Sequence, residues 1–172
     1  RNKMKKLLFL CLSIATLVSC SKDDDGGNGG SAAAGTIEAS VDGSSFTSIE
    51  MATTAIEQDV NGSTMIRVQG SNSDGEGMVL TIMGFEGTGT YELGGEISVF
   101  TNAIYTETDL SNPMDTQTWL APYDETIVGE IQVSEKTATN IKGTFSFSGK
   151  NEEGGTIKEV TSGSFNVAIS EF

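Results

Sequence analysis

From Thr36 onward the apolar residues recur at every second position, and no apolar stripe of helical period runs longer than two turns. A chain with period two can bury an apolar face only by pairing into sheets, because successive side chains of a strand point to opposite faces. Ile37, Ala39 and Val41 share one face of a first run. Ile66 and Val68 point inward while Arg67 and Gln69 point outward. Phe145 and Phe147 alternate with Thr144, Ser146 and Ser148, and Phe165, Val167 and Ile169 with Ser164, Asn166 and Ala168.

Turn chemistry separates the runs. Asp42-Gly43 and Asn61-Gly62 are dipeptides that tolerate positive φ and close tight hairpins. Further runs are expected over Met51–Gln58, Met78–Met83 (covered on both faces), Thr90–Leu93, Ile97–Tyr105 and Trp119–Tyr123, the last a short edge strand ending at Pro122. Ile127, Ile131 and Val133 form the inward set of a strand that opens a C-terminal antiparallel meander, with turns at Glu135-Lys136 and Glu152–Gly155. The pattern predicts one all-β domain over residues 36–172, an antiparallel β-sandwich or flattened barrel of about nine or ten strands.

The first 35 residues follow another logic. Lys5 and Lys6 precede an apolar run from Leu7 to Val18. Twelve residues give ~18 Å of helix against roughly 30 Å of hydrocarbon, too short to span, with the flanks of a signal peptide. Leu17-Val18-Ser19-Cys20 resembles the lipobox of bacterial lipoproteins. That resemblance makes residues 1–19 a cleaved signal peptide, with Met4 as its initiator, and Cys20 the residue that receives diacylglycerol through a thioether. Lys22, Asp23, Asp24 and Asp25 resemble the acidic tract by which Bacteroidota lipoproteins reach the outer face of the outer membrane. Residues 20–35 are then a lipidated cysteine and a flexible acidic and glycine-rich linker. Its fifteen residues after Cys20 span roughly 20 Å as coil.

Charge narrows the partners. Residues 1–19 carry four of the ten Lys and Arg and no acid, which leaves six against 24 Asp and Glu and a formal charge of −18. Nucleic acid and anionic lipid both call for a basic footprint that is missing. With Cys11 removed and Cys20 lipidated, no disulfide remains, and stability falls to the core.

Lys142-Gly143-Thr144-Phe145-Ser146-Phe147, then Val160-Thr161-Ser162-Gly163-Ser164-Phe165-Asn166-Val167, resemble the C-terminal end of an uncharacterised Bacteroidota surface-lipoprotein family. Val41-Asp42-Gly43 with Phe46, and Gly89-Thr90-Tyr91, match its other recurrent pieces. The resemblance implies a β-rich, surface-anchored domain of unknown function and carries no catalytic residues.

Chemistry is sparse. The chain has no His, which removes the usual general base and His-ligated zinc. Carboxylate pairs, as in glycoside hydrolysis, would remain, but no spacing singles out a pair. Asn72–Glu76 hints at a calcium loop, yet a twelve-residue frame centred on Gly75 puts Gly70 first and Thr81 last, with no carboxylate at either. A polar hairpin loop is the plainer reading. The glycines from Gly84 to Gly95 lack the Lys and helix of a phosphate loop. No cofactor or metal is expected. Trp119, Tyr123 and Tyr105 flank the longest polar loop; they are either core aromatics or a platform for a sugar or peptide. The expected protein is a non-enzymatic binding or assembly accessory module, held in the outer membrane by the lipid on Cys20 and facing outward. It would meet an outer-membrane protein, a glycan or a peptide. The rivals are a carboxylate-based carbohydrate-active or calcium-dependent enzyme and a structural coat protein.

Overall fold

A computed structural model describes residues 31–95 and 100–170. The described residues form eleven strands: β1 (Thr36–Val41), β2 (Ser44–Thr47), β3 (Thr54–Val60), β4 (Ser63–Ser71), β5 (Glu76–Met83), β6 (Gly89–Leu93), β7 (Asn102–Thr108), β8 (Thr116–Ala121), β9 (Gly129–Lys136), β10 (Asn140–Lys150) and β11 (Ile157–Ser170). The only helical piece among them is a 3-10 turn at Glu50–Ala52.

The pairings sort into two layers. β2, β1, β11, β10, β9 and β6 are neighbours in that order. β3, β4, β5, β7 and β8 form the second layer. Two short joints close the layers on each other. The end of β11 meets β3 through Ile169↔Ala55 and Ser170↔Ile56, and the end of β10 meets β8 through Lys150↔Leu120. The joints lie at opposite ends of the β10–β11 pair, so the sandwich is a flattened barrel.

One bulge makes this possible. Phe145 and Phe147 on β10 oppose Gly163 and Val160 on β11, so β11 carries one extra residue there. β1 sees the same step, with Glu38 and Ser40 opposite Ser164 and Thr161. Ser162, at φ 51°, lies in the bulge. Without the insertion, Val160 and Phe165 would face opposite sides; with it both are buried. The added bend lets one strand leave the first layer and pair with β3.

The core is the set of inward residues from both layers, among them Ile37, Phe46, Ile66, Leu80, Tyr105, Ile131, Phe145, Phe147 and Phe165. The Phe46 ring of β2 meets Tyr105 of β7 edge-on, with centroids 6.5 Å apart, which ties the layers together. Phe145 stacks with Phe147 and Phe165, each at 6.4 Å.

Several expectations need correction. The eleventh strand is β2, whose Ser-Ser-Phe-Thr holds a single buried apolar residue and so lacks a visible alternation. The sheet is mixed, since β11 and β3 run parallel. Met51 belongs to the 3-10 turn and is 91 % exposed; the strand begins at Thr54. β7 begins at Asn102, and Ile97 falls outside the described residues. β8 begins at Thr116 and is no free edge. Glu135 and Lys136 continue β9, because a bulge between Val133 and Glu135 carries the ladder past them. Ile127 is exposed, and Val128 packs on the core instead. The end of the presumed linker is docked: Ala32 is buried, and Gly35 N–H donates to Asn166 O at 2.7 Å.

Candidate functional site

Tyr105 and Trp119 face each other across the β7–β8 ladder, with ring centroids 5.8 Å apart. Both are buried, and Trp119 Nε1 donates to Thr156 Oγ1 at 3.1 Å. Tyr123, beyond the cis Ala121–Pro122 bond, is 37 % exposed. These three residues therefore do not form one open platform. The first two are core aromatics with bonded polar tips, as a buried phenol or indole requires. Cys20, Lys22, Asp23, Asp24 and Asp25 lie outside the described residues.

A polar cap sits over this pair. The Tyr105 hydroxyl lies 2.8 Å from Glu76 Oε1 and 3.0 Å from Glu107 Oε1. Lys158 Nζ lies 2.7 Å from the same Glu107 oxygen and 3.9 Å from Asp42 Oδ2. It also stands 4.8 Å above the Trp119 ring. The phenol has one proton and serves one carboxylate at a time. The ammonium relieves the crowding of negative charge at Glu107. Burial, then hydrogen bonds to Glu76 and Glu107, then their charges, push the phenol's pKa well above its ordinary value. Tyr105 is thus a donor, not a nucleophile. Glu76 is further held by Asn72, whose Nδ2 donates to Oε2 at 2.6 Å. Asn72 Oδ1 accepts the N–H groups of Asp74 and Glu76, which makes Asn72–Glu76 a self-bonded hairpin turn. Among the described residues no group of three His, Cys, Asp or Glu is arranged to hold a metal.

Sequence reading passed over Glu76, Glu107 and Lys158, though a signal was present. Glu76 is in phase with Met78, Leu80 and Ile82; Glu107 with Ala103 and Tyr105; Lys158 with Val160. Charged residues on the inward phase at a strand end are the mark of such a cap.

The second feature is concave. β8 pairs with β7 along its length, but its other side meets β10 only at Leu120↔Lys150. Two cavities adjoin this seam, of about 300 and 330 Å³, and Leu120 lines both. Glu152 and Glu153 border one; Pro122, Asp124 and Glu125 border the other. Lys150, the one cation among the lining residues, lies 5.7 Å from the Tyr123 ring. Asp124 is held below the usual carboxylate range by the hydroxyl and N–H of Thr126 and by the charge of Lys150. The open side of β8 is plugged by Asn151, whose Nδ2 donates to Thr118 O at 3.1 Å and Gln117 Oε1 at 3.3 Å.

A family model described as a domain of unknown function (DUF6252) matches residues 33–168. No curated protein matches the chain, nor does any solved structure.

Proposed function

The chain belongs to the DUF6252 family, and from that footing we propose that it is a lipid-anchored binding domain displayed at the outer-membrane surface. The diacylglyceryl thioether on Cys20 holds it there, and the acidic tract Lys22–Asp25 directs it outward. The basic n-region, the short apolar run and the small residue at Ser19 support the anchor. The family match, over residues 33–168, does not include Cys20 or the acidic tract.

The observation that carries the binding role is the furrow beside β8, where Leu120 lines two adjoining cavities. The rival hydrolase has one observation in its favour, the approach of Glu76 and Glu107 to a single hydroxyl. Against it, both acids are engaged, by Asn72 and Lys158, and neither borders the furrow.

Metabolic labelling with an alkyne fatty acid tests the anchor. The label is expected on the wild type and absent from Cys20→Ser, since serine has no thiol to accept the lipid. Label that persists in Cys20→Ser sinks the lipoprotein reading. Protease shaving of whole cells tests display: replacing Asp23, Asp24 and Asp25 with Ala is expected to protect a still-lipidated protein. Equal digestion of both forms reduces the tract to a spacer.

A further inference from the structure

We infer that the furrow beside β8 docks an extended, lysine- or arginine-bearing polypeptide segment of a partner protein. This rests on the binding role proposed above and names the chemistry of the occupant.

Charge is the first argument. Carboxylates stand at both ends of the furrow, Glu152 and Glu153 at one and Asp124 and Glu125 at the other. The side-chain carboxylates of Glu125, Glu152 and Glu153 have no hydrogen-bond or ion-pair partner among the described residues; Glu125 is bonded only through its backbone oxygen, which accepts from Gly95 N–H. Three other glutamates are ion-paired: Glu57 with Lys136, Glu135 with Lys142 and Glu107 with Lys158. Lys150 is the sole counter-charge, and it is engaged with Tyr123 and Asp124. A cationic segment would complete these acids, and the strongly negative chain would draw it in at long range.

Shape is the second. The two cavities adjoin at Leu120, the residue they share, and both are open to the surface, which suits an extended chain and not a buried small molecule. Leu120 and Pro122 supply an apolar floor for one aliphatic side chain between the charged ends. Strand addition is blocked, because the Asn151 amide already occupies the Thr118 carbonyl on the open side of β8. The segment is therefore held by its side chains. A second copy of this chain carries the same negative charge and is repelled.

The test titrates the whole chain, isotope-labelled for NMR, with three probes at physiological salt: an eight-residue lysine–leucine peptide, its glutamate–leucine counterpart, and a linear neutral hexasaccharide. The lysine peptide is expected to shift the Leu120 methyls and the backbone at residues 122–125 and 150–153. Glu152→Gln with Glu153→Gln should weaken it about tenfold, and Lys150→Gln should tighten it roughly threefold, since each exposed charge contributes modestly. Asp74→Asn with Glu86→Gln, the same charge change on exposed residues away from the furrow, should leave affinity unchanged. Equal weakening by that control pair reduces the effect to the general field and overturns the proposal. So do shifts caused only by the hexasaccharide, which make the furrow a glycan site, or peptide shifts elsewhere on the domain. The titration does not use the lipid, so its failure leaves the anchor standing, and loss of the label on Cys20 leaves the furrow standing.

Discussion

The Lys158 ammonium lies 4.8 Å above the Trp119 ring and covers the indole face on which a sugar would have stacked. The contact also explains why a lysine can face inward at the end of β11. Its charge meets Glu107 on one side and the π-cloud on the other.

Trp119 is the single tryptophan, so its fluorescence reports this contact alone. Emission is expected to be blue-shifted and insensitive to iodide until the protein unfolds, because the side chain is 6 % exposed. Red-shifted emission with strong quenching in the native state would mean that the cap is open.

Tyr105 should give the protein a weakness at high pH. Its phenol ionises near 10 when unfolded and well above that when folded, so only the unfolded state releases the proton at first. The stability it contributes is whole below pH 10 and declines above it, by about 1.4 kcal/mol per pH unit. Melting curves between pH 9 and 11.5 should fall more steeply for the wild type than for Tyr105→Phe. Parallel curves would show that the phenol is free to ionise in the fold.

The C-terminal pair is the centre of the core. Phe165→Ala should cost about 3–5 kcal/mol in chemical denaturation, since the ring is buried and stacked on Phe145. Gly143→Ala should cost about 1–3 kcal/mol, because its methyl would strike the Gln132 carbonyl and the Phe165 ring. A loss under 0.5 kcal/mol in either would place the strand pair differently.

Ser162 offers a test on the surface. Its side chain is exposed, yet its φ of 51° is left-handed. Ser162→Gly should be neutral or slightly stabilising, and Ser162→Val should lose about 1–2 kcal/mol. Equal stability of the two variants would argue against a bulge at this position.

Alternation was legible because it is local. Ile66 and Val68, Phe145 and Phe147, and the Asn61-Gly62 turn all stand where period two and turn chemistry put them. What escaped was set by distant partners. Ser162 is an extra residue only relative to β1 and β10, and β2 is a strand only because β1 pairs with it. The furrow is harder still, since it arises where β8 and β10 meet at one residue pair while thirty positions apart in the chain. Trp119 and Tyr105 turn into the core, and the concave surface lies on the other phase of β8, that of Leu120.

The docking of Ala32 and Gly35 bears on how the domain would carry a load. A pull on the chain ahead of Ser31 reaches the hydrogen bonds of Ala32 with Asn166 and Ala33 with Glu38 first, then the Gly35–Asn166 bond, and then β1. β1 is not an outer strand: β2 flanks it on one side and β11 on the other. It cannot be unzipped from a single neighbour. Drawing it out must break two ladders together, so a domain tugged by its own tether would resist unravelling from the end at which it is held.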